Sequence, residues 1–344
     1  VQQVLRLSST MQSYDHDQPF TIARGSETTA TTIRVDVTGG HGVGEGEASP
    51  LARYDQHPEH CLETVLALDG RISDDPDRTL DDLDTLWPVH EQPRAGRAAL
   101  EVACHDYVAR AAGLPLWRHL GLGRPAAATS MTISLGTPEE MAAAAARFSS
   151  TFRSLKVKLG SGDGQDLDRL RAVRAATMLP LCVDVNEWWS FDESAAIVPL
   201  LADFGVTYLE QPLIAGHRGM ADLADLSSVP LIADEEFTDV EQLGELTGCF
   251  DGVNVKIAKV GGIRPAMRAV SLARQLGLSV VIGCMNESAL GISPAVHLAS
   301  MAKAWDVDGH LLLRDAPWQG LGLSDGIVTV SDGAGLGVRS HAEP

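Results

Sequence analysis

The chain has 344 residues, 44% hydrophobic and 21% charged, which is the composition of a soluble globular protein with room for one large barrel and a smaller partner domain. A formal net charge of −19 repels phosphate backbones and excludes nucleic acid as a partner. No apolar run approaches the ~20 residues of a membrane helix, so no membrane partner is expected.

The first part of the chain, residues 1–125, reads as an α+β capping domain. "TTIRVDVTGGHGVGEGEASP" has the pattern of strands joined by Gly-rich turns, and "GRAALEVACHDYVARAAG" that of a helix with a Gly stop. From about residue 128 a different rhythm sets in. Eight short apolar or β-branched runs, "MTISLG", "LKVKLG", "LCVDVNE", "VTYLEQPL", "VPLIADEE", "GVNVKIAKVGG", "LSVVIGCM" and "WDVDGHLLL", alternate with helical stretches such as "DLDRLRAVRAAT". This predicts an α/β fold, a modified (β/α)8 TIM barrel over residues 126–314. The tail, residues 315–344, reads as strand and turn and is expected to return to the cap. Five cysteines without a CxxC pair point to reduced thiols and a cytoplasmic location.

Charged residues recur at the same place in successive units. Lys158, Asp184, Glu210, Asp234 and Lys259 follow one another at about 25 residues, one βα unit. The C-terminal ends of barrel strands converge on one mouth, so three carboxylates should meet there with lysines on either side. A lone carboxylate at a strand end is more often a cap or a loop ion pair. Three together repel unless a cation joins them, and an oxygen-only set suits Mg²⁺. In "LKVKLG", Lys156 and Lys158 share one strand face while Leu155, Val157 and Leu159 share the other. Lys156 could merely snorkel to the rim. Alternatively, neighbouring cations depress a lysine's pKa and free it as a general base near neutrality, with Lys156 tuning and Lys158 moving the proton.

The ordered set KxK (Lys156, Lys158), "DVN" (Asp184, Asn186), "LEQP" (Glu210), "ADE" (Asp234, Glu235) and "KIAKVGG" (Lys256, Lys259) resembles the enolase superfamily, in its muconate-lactonising subgroup. That resemblance implies a capped modified barrel with one Mg²⁺ per active site on Asp184, Glu210 and Asp234. Asn186, Glu235 and Lys256 would sit beside the ligands. Lys158 and Lys259 would abstract and return a proton α to a carboxylate through a metal-stabilised enediolate. "WDVDG" places Asp306 and Asp308 two apart on the last strand, sharing a face; they could cap a turn or grip an ammonium group. In the family a DxD there resembles the dipeptide epimerases. "PFTIARGS" resembles the specificity loop of Ala-Glu epimerases, which would bring Arg24 to a distal carboxylate unless it only holds cap to barrel. "GCMNES" resembles the seventh-strand motif, with Glu287 and Ser288 near the substrate backbone. Asp15, His16 and Asp17 are more acidic than an acidic substrate would favour, and either face the site or are solvated.

The resemblance thus implies epimerisation of the C-terminal residue of a dipeptide, L-Ala-L-Glu first, suited to recycling cell-wall peptides, by a homo-oligomer. An N-acylamino acid racemase, o-succinylbenzoate synthase or muconate cycloisomerase could use the same scaffold, and a barrel that binds without turnover is the remaining alternative.

Overall fold

The computed structural model describes residues 3–341. Its first unit is an antiparallel sheet of three strands in sequence order: β1 (Arg6–Ile22), β2 (Gly25–Gly39) and β3 (Gly42–Ala48). The sheet packs on helix α1 (Arg94–Ala111). The "GEGEA" pattern has a steric origin here. A Cβ at Gly44 would lie 2.3 Å from Ala103 O, and one at Gly46 2.1 Å from Ala99 O. Only glycine lets this strand lie against the helix backbone. The alternate residues, Glu45 and Glu47, are buried on its other face.

β1 was not anticipated. The segment "PFTIARGS" is the closed end of the β1–β2 hairpin, with the turn at Ala23 and Arg24. Along β1 most side chains are exposed or half-buried and polar, so no apolar alternation marks it as a strand. Asp15 and Asp17 are exposed, whereas His16 is buried and stacks on Phe20 with ring centroids 5.6 Å apart. The solvated reading of the two aspartates holds.

The second unit is a parallel sheet of eight strands in sequence order. These are β4 (Met131–Ile133), β5 (Leu155–Lys158), β6 (Leu181–Asp184), β7 (Val206–Glu210), β8 (Leu231–Ala233), β9 (Gly252–Lys256), β10 (Ser279–Gly283) and β11 (Ala304–Asp306). A parallel bridge between Thr129 and Trp305 joins the two ends, nearly closing a barrel. All eight sequence runs supply a strand. The barrel is modified at its end: after β11 the chain enters a 3-10 turn, Gly309–Leu312, rather than an eighth long helix.

The tail strands Leu321–Ser324 and Ile327–Val330 pair with each other, and the second pairs with Ala127–Ala128 beside the barrel. The tail also reaches the cap, where Arg34 lies 4.9 Å over the Trp318 ring. Leu336 ties three parts together. Its N–H donates to Asp106 of α1 at 2.7 Å, and its carbonyl accepts from Ser293 Oγ at 2.7 Å and faces His297 Nε2 at 3.0 Å, both on helix α2 (Ala289–His297). His297 Nδ1 accepts from Trp117 N at 3.0 Å, so the proton belongs on Nε2.

Burial pushes the His297 imidazole down to about 4 from its usual 6.5. The folded state keeps it neutral while the unfolded chain protonates it first. Its contribution is therefore complete above about pH 6.5 and lost as pH falls through 4, a total of about 3 kcal/mol. Denaturant melts from pH 7 to 4 should show this acid loss, and His297→Gln should flatten it. An unchanged slope in the variant would refute the assignment.

Candidate active site

The strand register builds the site. Lys158, Asp184 and Glu210 are in-register neighbours on β5, β6 and β7, and Asp234 follows β8 by one residue. Asp184, Glu210 and Asp234 each present an oxygen within 4.8 Å of the others, and all three are buried. Oxygens around an octahedral Mg²⁺ held at about 2.1 Å lie roughly 3 to 4 Å apart, so the donor type and spacing fit this ion.

Lysines surround the triad. Lys156 Nζ lies 2.8 Å from Glu210, 2.7 Å from Asp306 and 3.1 Å from Asp184. Lys158 Nζ donates to Asp184 at 2.6 Å. Lys256 and Lys259 both pair with Asp234 at 2.5 Å, on different oxygens. Lys256 ends β9, but Lys259 sits in the helical turn Ile257–Val260 after it, a correction to the continuous strand expected over "GVNVKIAKVGG". There it also donates to the carbonyls of Asp234 at 2.6 Å and Asn254 at 3.0 Å.

Burial works to raise all three ligand carboxyls. Lys156 and Lys158 outweigh it at Asp184, and Lys256 and Lys259 at Asp234, leaving both below the usual carboxylate range. Glu210 ends at about 8, because burial exceeds the help from Lys156. Burial works to lower the lysines. Three carboxylates nevertheless hold Lys156 well above its ordinary value, and Asp234 and Glu210 hold Lys256 up. The groups nearest Lys156 are mainly anions. Lys259 is lowered, by its burial.

The residues flanking the ligands are brought together as their motifs suggested. Asn186 Nδ2 donates to Glu235 at 3.2 Å, and its Oδ1 faces Lys158 Nζ at 3.4 Å. Sequence reasoning missed two positioning residues. Asn254 donates to Glu210 Oε1 at 2.7 Å. It lies two residues before Lys256 on β9, so strand period two was the available signal. A Cβ on Gly283 would lie 2.2 Å from Asn254 Oδ1, so that glycine makes room for the amide. Gln211 Oε1 accepts from the N–H groups of Asp234 at 3.0 Å and Glu236 at 3.1 Å, fixing the turn that carries Asp234.

The hairpin end roofs the Lys158 side, with the Phe20 ring centroid 5.9 Å from Lys158 Nζ. Arg24 donates to Glu235 at 2.8 Å and to the Asn186 carbonyl at 3.0 Å. On the other side a cleft of about 400 Å³ between cap and barrel reaches Lys259, lined also by Arg53, Tyr54 and Glu235.

Asp306 and Asp308 are both buried near Lys156, but they do not share a strand. β11 ends at Asp306, and Asp308 precedes the 3-10 turn, where its Oδ2 accepts from Thr132 N at 2.7 Å. Asp306 Oδ1 is buried without a partner among the described residues. Burial first, and Asp306 next, raise Asp308 to about 7. Glu287 and Ser288 face the cap. Glu287 Oε1 accepts from Ser49 N at 2.9 Å, and Ser288 donates to Glu47 from its N–H at 2.7 Å and its hydroxyl at 2.9 Å.

A capped parallel barrel with an oxygen triad and lysines at the C-terminal strand ends defines an enzyme of the enolase superfamily. Residues 140–343 match the enolase C-terminal domain-like family, and residues 7–121 match the mandelate racemase / muconate lactonizing enzyme N-terminal domain. The chain belongs to the mandelate racemase/muconate lactonizing enzyme family. It is 30% identical over 322 residues to an L-Ala-D/L-Glu epimerase of Bacteroides thetaiotaomicron, covering 93% of this chain and 84% of that one. Two solved structures are similar in fold. An enolase family member from Agrobacterium tumefaciens with homology to dipeptide epimerases, with bound sodium and L-Ala-L-Glu, superposes with a TM-score of 0.87 at 31% identity, covering 95% of this chain and 98% of that chain. The dipeptide epimerase of Enterococcus faecalis complexed with Mg and L-Leu-L-Tyr gives 0.91 at 27%, covering 98% and 99%. The chain is an enzyme of the isomerase class.

Proposed function

We propose that this enzyme is a Mg²⁺-dependent dipeptide epimerase that inverts the α-carbon of the C-terminal residue, with L-Ala-L-Glu to L-Ala-D-Glu as its reaction. The observation that carries the reading is the attachment of Lys158 and Lys259 to different members of the triad, Asp184 and Asp234. A substrate α-carbon held between them meets one amine on each face. One lysine takes the proton and the other returns it from the opposite side, which inverts the centre.

Asp184, Glu210 and Asp234 would hold one Mg²⁺ per site. When bound, the ion supplies Lewis-acid stabilisation of charge that develops on the substrate carboxylate. The unpartnered Asp306 oxygen, with Asp308 beside it, supports a free ammonium group on the substrate rather than an N-acyl group. Asp15 and Asp17 are exposed and lend no support to a cationic side chain. Arg24 lies at the closed end of the roofing hairpin, where release from Glu235 would offer it to a side-chain carboxylate.

The test is proton NMR in D₂O with enzyme, Mg²⁺ and a panel of dipeptides bearing acidic, cationic or hydrophobic second residues. Loss of the C-terminal α-proton signal fastest for Ala-Glu is the expected result. Exchange only of N-acylated amino acids would overturn the dipeptide reading. Asn254→Ala should weaken Mg²⁺ binding about 10- to 100-fold by freeing Glu210. Calorimetric titration with Mg²⁺ measures this, and an unchanged affinity would remove Asn254 from the metal site.

A further inference from the structure

The interior of a barrel of this kind is ordinarily filled by layers of side chains. Here the end opposite the catalytic mouth is not. A cavity of about 450 Å³ opens at the N-terminal ends of β7, β8, β10 and β11. Its size lies within the roughly 300–1,000 Å³ of small-molecule sites. Ile232 and Val281 give it apolar walls, and Ala304 is too short to fill it.

Two further features mark it. Tyr208 lines the cavity, its buried hydroxyl within hydrogen-bonding reach of the Cys182 thiol. The Cys182 thiol beside it is a weak hydrogen-bonding group. Arg274 and Lys303 also line the cavity. Lys303 is exposed, and Arg274 makes one hydrogen bond, to the Met301 carbonyl. Neither has a carboxylate partner among the described residues. The sequence contains five lysines, and four of them crowd the catalytic mouth. The fifth is Lys303.

We infer that the barrel floor is a second ligand site, taking a small amphipathic carboxylate. Its anionic head lies between Arg274 and Lys303, and its apolar body runs along Ile232 and Val281 toward the Tyr208 ring. The site is independent of the metal ligands. Tyr208 precedes Glu210 by two residues on the same face of β7, so the ligand would end one layer below the catalytic centre.

Hexanoate is the probe, with hexan-1-ol as its neutral counterpart, titrated calorimetrically into the full chain with chelator and again with Mg²⁺. One saturable hexanoate per chain, equal in both conditions, is the expected result. The surface variant Arg274→Gln/Lys303→Gln should bind roughly tenfold more weakly or worse, since each cation offers a charge-assisted hydrogen bond. Trace acylation supplies a second readout: bound hexanoate should protect Lys303. Three outcomes would overturn the inference: no saturable binding, binding that requires Mg²⁺ and therefore belongs to the mouth, or equal binding by the double variant. Hexan-1-ol binding as tightly as hexanoate would overturn the assignment to a carboxylate.

Discussion

Lys158→Ala and Lys259→Ala each abolish epimerisation, by roughly 10²- to 10⁴-fold, the usual contribution of a positioned acid or base. Both proteins stay folded. Asp184 keeps Lys156 at 3.1 Å when Lys158 is removed, and Asp234 keeps Lys256 at 2.5 Å when Lys259 is removed. The sharper expectation concerns exchange. Each variant retains one amine on one face of the α-carbon, so in D₂O it still exchanges the α-proton of one stereoisomer and not the other. The two variants favour opposite stereoisomers. NMR of L,L and L,D substrate separately reads this out. Epimerisation at the wild-type rate in either variant, or retained exchange of the same stereoisomer in both, would end the two-face mechanism.

Lys156→Met is expected to act on stability as strongly as on activity. Among the described residues it alone ion-pairs with three carboxylates, Asp184, Glu210 and Asp306. Methionine keeps the volume and removes the charge. Asp306 then has no cation, and Glu210 keeps only the Asn254 amide. Breaking a buried ion pair from one side costs about 3–5 kcal/mol, because the remaining charge stays buried and uncompensated. Denaturant melts in chelator should show a loss of that size. Added Mg²⁺ should stabilise the variant more than the wild type, since the variant has more negative charge to neutralise. Equal stabilities in chelator would mean that Lys156 contributes nothing net to the fold.

The catalytic end of this molecule was readable because it obeys two periodicities. A strand turns alternate side chains to one face, and a βα unit returns to the same mouth at regular intervals. Lys156, Lys158, Asp184, Glu210 and Asp234 follow both rules. What broke the rules was misplaced. Asp308 was put on the last strand by its spacing from Asp306, but β11 stops at Asp306, and Val307 N bonds to Thr129 Oγ1 at 2.9 Å instead of continuing a ladder. β1 was invisible because the strand is largely exposed and polar on both sides. The cap partners of Glu287 and Ser288, Ser49 and Glu47, were not read from the sequence. Nothing local in a sequence encodes a partner that far away.

That distance bears on how the chain assembles. Glu47 leaves a ribosome early, yet the groups that donate to its buried carboxylate include Ser288, 241 residues later, and Ser49 waits 238 residues for Glu287. Contacts of such separation carry a loop-closure cost and form late. The N-terminal sheet therefore cannot finish its interior before the seventh barrel strand exists. Glu47 and Ser49 lack these partners until residues 287 and 288 have been made. Closing the interior of the N-terminal sheet is thus coupled to completing this part of the barrel.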